Sequence, residues 1–384
     1  MVGLKAGRDE DLPLPTGVFW AGYVSDRGGY GTVSRNYLKM LEVLNIPVHI
    51  HNLGQIHKEI AQDDRDLIGS IHRPISDLGT DPVMVIHSTP DDFARFNTTG
   101  FNKKIGITIF ETDKIPDYWV SLCNQMDEIW VPTAFNYHTF TESGVDETKV
   151  RVMPYGIDVQ KYDKNFEPYS FSTTPKTFTF LYTCQFDYRK GFDLLINSFC
   201  EEFTDNDDVT LIIKTYVHEN DIDAEAIIRS YIPIKNNIPS ILIINEKMPE
   251  NELLSLYSSC TCYISTDRAC GWGMPQMEMM AMGKPVISIN WSGSTEFMND
   301  ENTFLIQPLD ELEPVDINLM INRPLLYMGH KWAKVSVENV RKTMRDAYRN
   351  KEKRLKIAKN AKEMIDHKYS INEIAKVMKQ NLAL

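Results

Sequence analysis

Short apolar runs rich in Val, Ile, Phe and Tyr recur along the chain, each bounded by Gly, Pro, Asn or Asp. In the first half they are TGVFWAGY, VHIHNL, PVMVIHS, KKIGITIF, DEIWVP and VRVMPYG. In the second half they are TFTFLYTC, VTLIIKTY, SILIINEK, CTCYIST, PVISIN and NTFLIQP. Their length and β-branched content read as strands. Between them, apolar residues return every three or four positions. That spacing predicts helices that include TVSRNYLKMLEVL, AFNYHTFTESG, FDLLINSFCEEF, ENELLSLYSSC and QMEMMAMG.

Near-continuous apolar strands alternating with amphipathic helices imply parallel sheets covered on both faces. The pattern gives two such sheets of five or six strands, and 384 residues exceed one ordinary core. The expected fold class is therefore α/β, with two doubly wound domains. The polar segment DVQKYDKNFEPYSFSTTPKT, residues 158–177, is the best linker. Open parallel sheets bind ligands at the carboxyl ends of their strands, so two facing sheets would hold a cleft between those ends.

Composition narrows the class without naming the chemistry. The mix of 42% hydrophobic and 24% charged residues is that of a packed globular protein. The opening MVGLKAGRDEDLPLPT has no apolar core of a signal peptide, and no apolar run approaches a membrane span, so a soluble, cytoplasmic protein is expected. A net charge of −12 argues against nucleic acid as main partner. Residues 331–384 nevertheless carry fifteen Lys and Arg against six Asp and Glu. That run reads either as a solvated helix face or as a peripheral contact with an anionic membrane. Cysteines 123, 184, 200, 260, 262 and 270 form no C-x-x-C pair and read as buried reduced thiols.

Three loops carry chemical meaning. SDRGGYGTVSRN, residues 25–36, sets three glycines between a first strand and a first helix. Either it is a structural turn, or Gly28 and Gly29 bring backbone N–H groups and a helix N-terminus to a phosphate. QFDYRKGFDLLINSF, residues 185–199, places Arg189 and Lys190 at the sheet's carboxyl edge, where two cations suit a diphosphate. In RACGWGMPQMEMMAMGKPV, residues 268–286, Gly271, Gly273 and Pro275 shape a loop able to present N–H groups to an anion. Glu278 follows in the first turn of a helix. It reads as a dipole-favoured acid or as an acceptor of two ribose hydroxyls. Met277, Met280 and Met274 read as adaptable packing. Trp272 packs on a ligand or on its own loop, and His87, ending a strand, is a structural histidine or a cleft residue.

Taken in order, GGYGTVSRNYLKML, ETDKIPDYWVSLCNQMDEIWVPTAFNYHTFTESGV, KVRVMPYGID, RKGFDLLINSF and GWGMPQMEMMAMGKPVI with SGSTEFM resemble the retaining GT-B glycosyltransferases of the family 4 group (glycosyl transferases group 1). The resemblance spans nearly the whole chain. It implies two Rossmann-like domains facing a central cleft, an acceptor-side domain over 1–165 and a nucleotide-sugar domain over 166–360. It also implies that GHKWAKVSVENVRKTMRDAYRN, residues 329–350, is a C-terminal helix, and that 361–384 form a helix returning to the N-domain. Lys190 would hold the donor diphosphate, assisted by N–H groups near Gly28, Gly29 and residues Trp272, Gly273, Met274 and Pro275. Glu278 would bind the ribose, Asn245 to Met248, with Lys247 between them, would line the base, and Glu111 would face the sugar or acceptor. Two departures stand out. The first of the family's two glutamates is replaced by Cys270, and an arginine some five residues before the lysine is replaced by Gln185. Arg189 and Asp267 are candidates to compensate.

The implied reaction is front-face transfer of a sugar from a nucleotide-diphosphate sugar to a glycan, glycolipid or protein-glycan hydroxyl, with the donor phosphate helping to deprotonate the acceptor. Protein cations are expected to meet the leaving charge without a metal, and no cofactor beyond the co-substrate is expected. Two other readings stay open: a catalytically silent GT-B binding subunit, and a GT-B epimerase or phosphorylase.

Overall fold

The computed structural model describes residues 13–54, 60–97, 99–217 and 223–383. Most of the opening segment read for a signal peptide lies outside them. The chain divides into two compact units. One comprises the described residues of Met1–Val159 and His367–Leu384, the other those of Gln160–Asp366.

In the first unit, β1 (Val18–Gly22), β2 (Val48–Asn52), β3 (Val83–His87), β4 (Lys103–Ile107), β5 (Glu128–Val131) and β6 (Val150–Val152) form one parallel sheet. Its order is β2-β1-β3-β4-β5-β6. Strands β1, β3 and β5 are buried along their whole length, as their mostly apolar sequences require of strands covered on both faces, with only His87 and Glu128 polar. The second unit repeats the plan with β7 (Phe178–Gln185), β8 (Val209–Tyr216), β9 (Ser240–Asn245), β10 (Cys262–Ser265), β11 (Val286–Ile289) and β12 (Phe304–Ile306). Its parallel order is β12-β11-β10-β7-β8-β9. Every strand expected from the sequence is present.

Helix ends follow local chemistry. Thr133 caps Ala134–Glu142 by accepting from the Asn136 N–H, and Ser370 caps Ile371–Leu382 by accepting from the Glu373 N–H. The last helix, buried at Ile374, Ala375, Met378 and Leu382, packs on Gly29–Val43 in the first unit. Gly156 is where they meet: a Cβ there would lie 2.5 Å from Met40 Cε and 3.2 Å from Ile374 Cβ. The adjoining Ile157 N–H donates to Tyr369 O (2.8 Å), and Ile371 N–H donates to Ile157 O (3.1 Å). The Gly156–Asp158 motif is thus a docking point for the C-terminal helix within this unit.

The expected helix over residues 329–350 needs correction. Lys331–Ala333 is a strand paired antiparallel with Leu312–Pro314, and the helix begins only at Val337, after a Ser336 cap. Antiparallel pairing with Leu312–Pro314 holds the segment as a strand, and the Ser336 cap sets the start of the helix. Much of the C-terminal basicity is consumed internally: Arg345 bridges Glu202 and Asp207 and stacks 4.3 Å over Phe203, and Lys362 pairs with Asp163. No helix among the described residues is long and apolar enough to cross a membrane.

Phe180 on β7 is fully buried, with ring centroids of Phe178, Phe203 and Phe199 at 4.9, 5.9 and 6.4 Å. Replacing it with Ala should cost about 3–5 kcal/mol, read as a lower urea midpoint at unchanged m-value. A loss below about 1 kcal/mol would show that this ring does not anchor the core.

Candidate active site

In a doubly wound sheet, loops leaving adjacent strands diverge where the strand order reverses, and a crevice opens there. In the second unit that point lies between β7 and β10, which are neighbours in the sheet though far apart in sequence. Lys190 follows the first of these strands and Asp267 the second.

Lys190 Nζ lies 2.5 Å from Asp267 Oδ2, and Asp267 Oδ1 accepts from the Tyr182 hydroxyl at 2.7 Å. The same hydroxyl contacts the Lys190 carbonyl oxygen. The lysine side chain is 20% exposed and the aspartate only 5%, so a buried carboxylate supports an accessible cation. Burial alone would lower the lysine pKa, and Arg189 acts in the same sense. The Asp267 carboxylate outweighs both and leaves it raised, so the ammonium persists at neutral pH.

The loop bearing Lys190 is fixed by backbone chemistry. Asp187 accepts from the Arg189 N–H at 2.8 Å, and Gly191 closes the turn at φ +65°. A Cβ at Gly191 would lie 2.1 Å from the Thr266 carbonyl oxygen, so glycine is required. Arg189 Nη1 donates to Ala269 O at 2.8 Å, while Arg268 forks onto Asp193 at 2.9 and 2.8 Å. These two arginines lace the loop after β7 to the loop after β10. Each Asp267 oxygen already accepts one hydrogen bond, from Lys190 and from Tyr182, so this carboxylate first of all orients the lysine.

The glycine-rich loop is clasped from behind. Ser292 Oγ donates to Cys270 O at 2.7 Å, and the Gly293 N–H donates to the same oxygen at 2.8 Å. Gly293 packs so tightly that a Cβ would stand 1.6 Å from Gly271 O. Gly273, at φ +103°, is the N-cap of helix Met274–Ala281, with Pro275 in its first turn. Trp272 faces inward, its ring 5.1 Å from Phe297 and its Nε1–H directed at Met277 Sδ, so it packs on its own loop. Met277 and Met280 are fully buried, as expected, and Met274 half-buried. The Cys270 side chain is buried, and a negative charge on it would act on Lys190.

Glu278 lies in the second turn of its helix, not the first, so the helix dipole does not explain it. Its Oε1 accepts from Tyr162 at 3.2 Å. Burial pushes its pKa up to about 7; Lys161 opposes this, Glu250 adds to it, and hydrogen bonds from Tyr162 and Tyr257 hold it down. This is a half-buried carboxyl poised between its two protonation states near neutrality. Gln185 and Asn245 stand exposed at the last residues of β7 and β9, Lys247 is exposed and Met248 buried.

In the first unit the order reverses between β1 and β3. Gly28 and Gly29 follow β1 at the start of helix Gly29–Val43, with Gly29 open to space on its Cβ side. Gly31 serves the loop itself, since a Cβ there would meet Asp26 O at 2.0 Å. Arg35 donates to Asp26 O (2.6 Å) and Val24 O (3.0 Å), pinning the turn. His87, fully buried, shares a 2.7 Å hydrogen bond through Nδ1 with Ser34 Oγ. Burial drives its pKa down to about 3, so it stays neutral. Glu111 is half-buried four residues beyond β4, and its charge raises the pKa of Tyr30 in the glycine-rich turn, behind burial as the main cause.

All six cysteines are buried thiols, and burial raises the pKa of Cys123, Cys184 and Cys260 to about 12. Among the described residues, no three His, Cys, Asp or Glu side chains gather as a metal-binding group. Tyr182, Tyr162, Tyr257, Arg268 and Ser292 escaped sequence reasoning. The tyrosines of β7 and of helix Glu250–Ser259 sit in apolar runs and look like core, and only the SGS triplet hinted at Ser292.

Residues 177–316, inside the second unit, match the family model described as Glycosyl transferases group 1. No curated protein sequence matches the chain. Among solved structures, Anabaena Alr3699/HepE in complex with UDP and glucose is similar at TM-score 0.65 and 12% identity, covering 95% of this chain and 98% of that one. A glycosyltransferase from Rickettsia africae is similar at TM-score 0.66 and 15% identity with the same coverage. The E. coli trehalose-6-phosphate structure bound with UDP-2-fluoro glucose gives TM-score 0.66 and 10% identity over 95% of this chain and 98% of that one. At these identities the likeness establishes a shared GT-B fold.

The raised Glu278 pKa has a stability consequence. The unfolded chain ionises this carboxyl near its ordinary value, whereas the folded protein retains the proton up to about 7. The folded state therefore binds more protons in that window, and stability falls as pH rises through it. Melting temperature should drop between about pH 5 and about pH 8 by more in the wild type than in Glu278→Gln. Parallel curves would show that Glu278 ionises normally.

Proposed function

We propose that this GT-B chain, a glycosyltransferase by its group 1 domain, transfers a sugar with retention from a nucleoside diphosphate to an acceptor hydroxyl. The observation that carries the proposal is Lys190, an accessible ammonium held at the β7/β10 switch point by buried Asp267. As the sugar–phosphate bond breaks, negative charge builds on the leaving diphosphate, and a cation already fixed in place meets it without reorganisation. The N–H groups around Gly273 and the start of its helix support a second contact to the same charge. Glu278, in its ionised form, accepts the two ribose hydroxyls. HepE and the E. coli structure, similar in fold, carry UDP or a UDP-sugar. That supports a nucleotide-sugar donor here.

In the proposed step the acceptor oxygen bonds to the anomeric carbon on the face that the diphosphate leaves. The acceptor proton passes to a phosphate oxygen of the departing group. No protein nucleophile and no metal is required, because the leaving charge is matched by Lys190. The acceptor is a carbohydrate or lipid-linked glycan. Exposed Lys351, Lys356 and Leu355 support a peripheral contact with an anionic membrane face.

Cys270, in place of a glutamate, favours one competing reading, a subunit that binds the nucleotide and turns over nothing. A turnover assay separates the two. With a nucleotide-sugar panel and a glycan acceptor, Lys190→Ala should lower kcat/KM by about 100-fold or more, and wild-type activity should persist in EDTA. Abolition by the chelator rules out the metal-free mechanism. Full activity of Lys190→Ala removes the proposed role of the cation.

A further inference from the structure

Lys214 lies on β8 at the carboxyl edge of the second sheet and is only 6% exposed. Among the described residues its ammonium has no ion-pair or hydrogen-bond partner; it rests 4.8 Å over the Tyr216 ring. Burial lowers its pKa, while Cys184 and Glu246 pull the other way without offsetting it. Lys214 is a largely buried side chain whose ammonium meets no protein acceptor among the described residues, and such a cation suits an anionic ligand.

Its position says which. In the parallel β7–β8 ladder, Thr183 faces Lys214 and Gln185 faces Tyr216. Paired residues share a sheet face and every second residue returns to it, so Lys214 and Gln185 stand on the same face at neighbouring rungs. Gln185, the last residue of β7, brings no charge there. Cys184, between Thr183 and Gln185, is under the electrostatic influence of Lys190 and Asp267 and itself acts on Lys214. Strand β8 lies next to β7, whose following loop carries Lys190, so the unpaired ammonium is one strand over from the Lys190–Asp267 pair.

We infer that Lys214 is a second cation of the donor site, contacting the diphosphate from the β8 side. This rests on the nucleotide-sugar reading above. An apolar stem over Tyr216 accounts for the burial of the side chain, but not for an ammonium left without acceptors at a ligand-binding edge.

The test uses the full-length chain with Lys214→Met, which keeps the stem and removes the charge, and Lys214→Arg, which keeps the charge. Calorimetric titrations use UDP, GDP and ADP, each beside its nucleoside, and inorganic pyrophosphate. The expected result is about tenfold or weaker binding of the preferred diphosphate and of pyrophosphate to Lys214→Met, with nucleoside binding unchanged and part of the loss recovered in Lys214→Arg. The unbound Lys214→Met protein should melt no lower than wild type, since it loses an uncompensated charge. Wild-type binding of a diphosphate with Lys214→Met within twofold of it overturns the inference and leaves the donor reading standing. So does an equal loss of nucleoside and diphosphate, which moves Lys214 to the base. Absence of any diphosphate binding by wild type overturns both.

Discussion

The loops leaving β7 and β10 are organised around one ion pair. Lys190 and Asp267 come from loops after two strands that are adjacent in the sheet only because its order reverses between them. Without the carboxylate, burial and the nearby guanidinium would push the lysine toward its neutral form. With it, the ammonium is both charged and oriented. The surrounding features serve that geometry: the left-handed Gly191, the Arg189 and Arg268 links between loops, and the Tyr182 hydroxyl beneath.

The second constraint is close backbone approach. Gly293 against Gly271 O and Gly191 against Thr266 O leave no room for a side chain, and each fixes one loop against another. A loop held this way loses little conformational freedom when a ligand arrives, which favours affinity through preorganisation. Glycine here provides proximity rather than flexibility, contrary to the simplest view of a glycine-rich stretch.

The fold was legible because burial on both faces leaves a simple mark: apolar strands separated by helices with a 3.6-residue period. Lys190 and Glu278 were legible because cations after a strand and an acid in a glycine-rich stretch break that pattern. The strand order was not, and with it went the partnership of Lys190 with Asp267, since 77 residues separate them. Glu278 was placed in the wrong turn because Gly273, not a later residue, starts the helix. Lys214 was hidden inside the run VTLIIKTY, where a single lysine passes for an edge residue until register and burial show its surroundings. The strand Lys331–Ala333 was absorbed into a helix because its residues also suit one.

The first unit is discontinuous in sequence: its sheet is built from residues before 160, yet helix Ile371–Leu382 belongs to it and covers part of Gly29–Val43. A ribosome delivers the intervening 160–366 segment first. During synthesis the apolar surface awaiting Ile374, Met378 and Leu382 stays uncovered until residues 371–382 have emerged, so the sheet made before residue 160 gains its last helix only after the second unit has been made.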